Sequence, residues 1–256
     1  MRVFALSDLH TDYPENKRWL TKMSHWDYQD DWLLLAGDIS DRLALLEHCF
    51  ATVTRNFAKV LFVPGNHDLW VKREPYATSI DKYHAVLALA KAHGIEHQQL
   101  HSERVSCIAV HGWYDYSFGQ PSEQLKAAWV DYRACRWPEG YTEQTICDYF
   151  LAQNAVPTET HEKKPKHTVI TCSHFLPRID VMPDFIPHKH RIVYPVLGSL
   201  KIDMALRRYN PSIHVYGHSH VNVDTTIAGV RYLNNAFAYP QEKRIARKRL
   251  KCIYRG

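Results

Sequence analysis

The sequence predicts a single α/β domain with a mixed sheet and a terminal β-hairpin. Three observations carry this. Short apolar runs alternate with helical periodicity three times over residues 2–93. Polar residues, rich in Asp and His, follow directly after the apolar runs. Two alternating segments then close around Ala228 and Gly229, the pattern of a hairpin. No internal repeat, low-complexity tract or interdomain linker interrupts the chain, which reads as one domain over residues 1–240 with a basic tail over 241–256.

Taken in order, residues 2–6 (RVFAL) read as a strand followed by Ser7, Asp8, Leu9 and His10. Trp19, Leu20 and Met23 share a face of a helix expected within residues 13–26. Residues 31–36 (DWLLLA) read as a second buried strand, ended by Gly37, Asp38 and Ile39. Leu43, Leu46, Phe50 and Val53 form one stripe and predict a helix over 43–57. Residues 60–63 are apolar without alternation, as in a strand buried on both faces. Pro64 and Gly65 stop that strand, because Pro cannot continue a ladder and Gly permits a tight turn; Asn66, His67 and Asp68 follow.

A helix is expected over 80–93, closed by Gly94. The strand at 105–110 runs into His111 and an aromatic loop over 113–119. Residues 122–156 read as helical in two pieces broken near 138–140, and 158–166 as a polar link. The strand at 168–172 leads to Ser173 and His174, and Pro177, Pro183, Pro187 and Pro195 predict a long surface excursion over 175–195. A helix over 202–209 and a strand over 213–216 precede Gly217, His218, Ser219 and His220; the hairpin strands are 221–227 and 230–233.

Composition narrows the function. The formal charge is +5, but seven cations (Lys243, Arg244, Arg247, Lys248, Arg249, Lys251, Arg255) lie in the tail, and without them it becomes −2. The body is therefore no general nucleic-acid binder, and the tail reads as a solvated end or a helix on the body. The six cysteines are scattered with no CxxC pair, which fits free thiols in a reducing compartment, and nothing at the start of the chain reads as a secretory leader. A cytoplasmic protein without a membrane span is expected. The 17 histidines point instead to metal or acid–base chemistry.

Six strand ends carry candidate ligands: Asp8 with His10, Asp38, Asn66 with His67 and Asp68, His111, His174, and His218 with His220. Open α/β sheets bind ligands at the carboxyl edge of their strands. Asp, Asn and His together offer oxygen and imidazole donors suited to Mn, Fe, Zn or similar divalent ions. In DLH and HSH the ligands are two apart, so on an extended segment both point the same way.

The ordered blocks D-x-H (Asp8, His10), G-D (Gly37, Asp38), G-N-H-D (Gly65 to Asp68), a lone His (His174) and G-H-x-H (Gly217 to His220) resemble the calcineurin-like metallophosphoesterases. The resemblance implies a four-layer αββα sandwich of two mixed β-sheets, with metals at the strand ends. It implies that Asp8, His10 and His220 bind one divalent ion, that Asn66, His174 and His218 bind a second, and that Asp38 bridges them. It further implies hydrolysis of a phosphomonoester or phosphodiester by metal-activated hydroxide. His67 would stabilise or protonate the leaving oxygen, with Asp68 orienting and charging its imidazole.

Some residues depart from the family's pattern. Ser173 stands where many members carry Gly before the lone ligand, and His111 competes with His174 for that role; block order favours His174. GDISDR resembles the protein serine/threonine phosphatases, whose Arg contacts phosphate, which makes Arg42 a candidate; Leu43 replaces the Gly of that pattern, so this branch is disfavoured. Trp70, Arg73, Trp113, His188 and Arg191 lie in loops expected around the metal edge and are the remaining substrate-binding candidates. The substrate expected is a small phosphate ester or nucleotide. A nuclease of the same superfamily is the alternative, and a non-catalytic scaffold the third reading.

Overall fold

The computed structural model describes residues 1–156 and 167–256; the polar link expected at 158–166 falls outside them. Strands β1 (Arg2–Leu6), β2 (Trp32–Leu35) and β3 (Lys59–Phe62) pair in parallel. The second sheet holds β4 (Gln99–His101), β5 (Val105–Ala109), β6 (Thr168–Cys172), β7 (Ile213–Tyr216), β8 (Asp224–Ile227) and β9 (Val230–Asn234), in the order β4-β5-β6-β7-β9-β8. Its β5, β6, β7 and β9 run parallel, with antiparallel neighbours at both edges.

The central strands are mostly apolar because each is covered twice. Val3, Ala5, Leu34 and Leu61 of the first sheet meet Cys107, Ala109, Ile170, Val215 and Leu233 of the second in an inner layer. The opposite face of the first sheet packs on α1 (Pro14–Thr21), α2 (Leu43–Asn56) and α3 (Ser79–Ala92) through Leu20, Phe50, Val53, Val86 and Ala90. The outer face of the second carries α4 (Glu123–Ala128), α5 (Asp131–Ala134), α6 (Glu143–Leu151) and α7 (Leu200–Arg207), through Leu125, Ile146, Phe150, Ile202 and Leu206. The layers are α-β-β-α, the sandwich the resemblance implied.

Five local readings change. The first helix ends at Thr21, short of residue 26, and residues 122–156 hold three helices where two were expected. The excursion over 175–195 is anchored inward by Phe175, Leu176, Val181 and Pro195, all buried. Strand β4 was not anticipated. The end of the basic segment is neither a free end nor helical: Lys251–Arg255 forms β10, antiparallel to β1 with a bulge between Val3 and Phe4. Its Ile253 enters the inner layer while Lys251 pairs with Asp224 at 2.7 Å, so burial of Ile253 and pairing with β1 outweighed the charge that dominated the sequence pattern. At the hairpin, Ala228 (φ +46) and Gly229 (φ +78) both adopt the left-handed conformation that a two-residue turn requires.

Candidate metal centre

Parallel strands aim their carboxyl ends at one edge, and the polar blocks following β1, β2, β3, β6 and β7 meet there. The backbone turns sharply at five of these side chains: Asp8 (φ +53), His10 (+42), Asp38 (+57), His218 (+65) and His220 (+57). Asp and His tolerate this region better than most residues, and such strain clusters at functional sites. Main-chain bonds hold the turns together, with Asp8 N–H donating to Gly37 O and His10 N–H to Asp38 O, both at 2.9 Å. Two glycines leave room beneath: a Cβ on Gly37 would lie 2.6 Å from His174 Nδ1, and one on Gly65 would strike Asp38 and His174.

Two groups of donors result, Asp8, His10, Asp38 and His220 in one and Asp38, His174 and His218 in the other, each with ligand atoms within 4.8 Å of one another. Asn66 joins the second, its Oδ1 3.1 Å from His174 Nε2. Asp38 belongs to both, with Oδ1 3.5 Å from His174 Nε2 and Oδ2 4.0 Å from His10 Nε2. The structure thus brings these seven residues together in two groups that share Asp38.

The donor set fits cations. His174 Nδ1 donates to Ala36 O at 2.8 Å, His218 Nε2 to Val196 O at 3.0 Å and His220 Nδ1 to Glu242 Oε2 at 2.7 Å. His174 and His218 therefore each turn a bare lone pair inward, whereas for His220 burial is outweighed by the hydrogen bonds and charges of Asp8 and Glu242, which raise it to about 9. The inward nitrogens converge without a proton to share, His174 Nε2 lying 3.2 Å from His218 Nδ1. Buried Asp8 Oδ2 has no hydrogen-bond partner. Burial, aided by the positive potential of neighbouring imidazoles, holds His10 well below the usual histidine range, and burial takes His218 down to about 3. Burial and the charges of Asp8 and Asp68 push Asp38 well up, so its carboxylate is a group in need of positive charge. For Asp8 burial is opposed by the hydrogen bond and charge of His220, which hold it at about 2.

His67 lies at the rim, stacked on Trp70 with centroids 3.6 Å apart and Nε2 3.8 Å from Asp38 Oδ2. Asp68 does not orient it. Its two oxygens accept four backbone N–H groups, from Asp38, Ile39, Ser40 and Gly65 at 2.8–3.1 Å. Asp68 is the strut that ties the β2 turn to the β3 turn, and its acceptor capacity is spent there. His111 is outside the centre, bonded to Tyr83 Oη at 3.2 Å and His97 O at 2.8 Å.

A cleft opens over the centre, walled by Trp70, Trp129, Val130, Val193, Leu197 and Tyr239, and among the described residues no Lys or Arg lines it. Arg73 stands in an adjoining recess, paired with Asp41 at 3.3 Å. The other loop candidates lie elsewhere. Trp113 is buried against Trp137, Phe150 and Phe175. Arg191 binds the carbonyls of Ile186 and Asp184, and Arg42 and His188 are exposed and line neither space.

Sequence reasoning passed over Glu242, Asp131, Trp129 and Tyr239. Tyr239 packs on His10 with centroids 4.5 Å apart and brings its hydroxyl to 3.5 Å from His67 Nε2. None sits at a strand end or in a motif; the one available signal was an acidic residue between aromatic neighbours, as in WVDY at 129–132.

The model of the calcineurin-like phosphoesterase family matches residues 1–222. The chain is 28% identical over 264 aligned positions to the acyl-carrier-protein phosphodiesterase PptH of Mycobacterium tuberculosis, covering 94% of this chain and 79% of that protein. The crystal structure of the phosphopantetheinyl hydrolase PptH from Mycobacterium tuberculosis superposes with a TM-score of 0.77 at 26% identity, covering 98% of this chain and 95% of that one.

Proposed function

Because this chain belongs to the calcineurin-like phosphoesterases and is a metal-dependent phosphoric-ester hydrolase, we propose that it is a two-cation phosphodiesterase whose substrate is a phosphopantetheinyl carrier protein. The observation that carries the reading is the pair of donor groups joined by Asp38 at the floor of one cleft. Asp8, His10 and His220 hold one divalent ion, Asn66, His174 and His218 the other, and Asp38 both. Bound there, two such ions neutralise phosphoryl charge and acidify a water to supply the nucleophile.

The chain's own groups do the rest. Burial, with the neighbouring imidazoles adding to it, keeps His67 neutral, so its ring offers one N–H to the oxygen that leaves. Trp70 fixes the plane of that ring, and the nearest carboxylate to it is Asp38. The cleft selects by charge: aromatic and aliphatic walls without Lys or Arg favour a diester with neutral arms over a polyanion. A nuclease would want cations along the groove. Those of the basic segment are partly engaged elsewhere, Lys248 with the carbonyls of Ala238 and Tyr239 and Lys251 with Asp224.

The test is a panel on metal-stripped protein reloaded with Mn, Zn or Fe: phosphopantetheinylated acyl carrier protein, an aryl phosphodiester, an aryl phosphomonoester and nucleoside monophosphates. Release of the arm from the carrier, read as a mass loss, is expected, with the aryl diester faster than the monoester. An untouched carrier together with a preferred monoester would overturn the proposal.

A further inference from the structure

We infer that Asp131 is a positioning residue that sets the amide polarity of Asn66 and holds the two indoles of the cleft wall. The inference rests on the two-cation reading and is independent of the substrate.

Asp131 opens α5 and is 2% exposed. Its Oδ1 accepts from Asn66 Nδ2 at 2.9 Å and from Trp70 Nε1 at 2.7 Å, and its Oδ2 from Trp129 Nε1 at 2.8 Å. All three partners are donors and an ionised carboxylate offers only acceptors. Asn66 must therefore present its NH₂ group to Asp131 and its carbonyl oxygen to His174 Nε2, 3.1 Å away. That nitrogen carries no proton, because the other ring nitrogen donates to Ala36 O. Two lone pairs thus face each other, an arrangement that a cation satisfies and that no hydrogen bond can.

The competing state is an amide turned over. Its NH₂ would then donate to His174 Nε2, a sound neutral hydrogen bond, and the ligand oxygen would leave the second donor group. In that state the Asn66 carbonyl would face the Asp131 carboxylate, acceptor against acceptor in a buried place, so Asp131 excludes it. An Asn at 131 has an NH₂ of its own and removes the objection. The same carboxylate fixes Trp70, which stacks on His67, and Trp129, which stands edge-on to His218 with centroids 5.9 Å apart. One buried group so ties a ligand of one cation site to the aromatic wall over both.

The experiment is Mn²⁺ titration by calorimetry of the metal-stripped full chain and of Asp131→Asn, with near-UV circular dichroism of the metal-free proteins. The first equivalent, on Asp8, His10 and His220, is expected within about twofold of the parent, and the second weakened about 10–100-fold, the usual range for loss of an outer-shell partner. The indole bands are expected to change before any metal is added. Unchanged binding of both equivalents, or equal weakening of both in a folded variant, overturns the proposal for Asn66; unchanged indole bands overturn it for the wall. If Asp131→Asn does not fold, the Trp70→Phe, Trp129→Phe double variant decides. It keeps an aromatic ring at each position and removes two donors from the carboxylate; a second equivalent weakened at least about threefold supports the coupling and an unchanged one overturns it.

Discussion

Acid should unfold this protein partly through His214. The imidazole sits on β7 at 0% exposure, with Nδ1 accepting from Thr171 Oγ1 at 2.8 Å and Nε2 donating to Ser173 Oγ at 3.0 Å; Ser173 in turn donates to Phe175 O. Burial pushes this ring down to about 3. In the unfolded chain a His titrates near 6.5. A depressed folded value means that the unfolded state binds the extra proton, so the stability is fully present above about pH 6.5 and lost as pH falls towards 3. With those two values the loss is about 2 kcal/mol at pH 5 and about 3 kcal/mol at pH 4. Urea unfolding of metal-stripped protein at pH 7.5 and pH 5.0 measures it, with His214→Gln as the comparison. Other site imidazoles titrate in both proteins and cancel in the difference. The variant should lose about 2 kcal/mol less than the parent between the two pH values; an equal fall in both would show that His214 is not the sensor. The consequence for function is direct, since Ser173 precedes His174 and β7 leads into the loop that carries His218.

Three further outcomes test the division of labour. His67→Ala should keep its metal content and lose about 10²–10⁴-fold in turnover of diesters with poor leaving groups, with a smaller loss on aryl esters; full activity would end the leaving-group role. Asp38→Asn should weaken both cation equivalents, and two tightly held ions by elemental analysis would rule out a shared ligand. Glu242→Gln removes the anionic partner of His220 and should weaken the first equivalent about 10–100-fold while sparing the second, the reverse of Asp131→Asn.

The sequence exposed the parts of the fold that are buried on both sides. β1, β2, β3, β5, β6 and β7 are mainly apolar because helices and the opposite sheet both cover them. Edge strands escape that logic: Gln99–His101 and Lys251–Arg255 are short, half polar and half exposed. The ligand blocks were legible because each follows a strand directly, as geometry at a parallel sheet's carboxyl edge requires. Strand pattern did not separate His111 from His174, since both end buried parallel strands; block order alone favoured His174. What separates them is the opposite sheet: His174 reaches Ala36 O at the end of β2, whereas His111 turns to Tyr83. Asp131, Glu242 and Tyr239 reach the site from aperiodic segments through side chains alone. For the same reason Trp113 and Trp129 look alike in sequence, although one is core and the other lines the cleft.

Without a cation the centre would hold unfavourable energy from two sources, and both point to the same conclusion. Five non-glycine residues adopt positive φ, at about 1–3 kcal/mol for each residue held in such a region. Burial and the charge of Asp8 and Asp68 raise Asp38, and aprotic nitrogens face one another across 3.2 Å. Asp68 offsets part of this by binding four amides of the two turns, which holds the ligand loops in shape before any ion arrives. Charge repulsion remains, and only positive charge at the shared carboxylate can relieve it. On the two-cation reading, folding and cation binding would be thermodynamically linked here, with the strained turns held for a bound state.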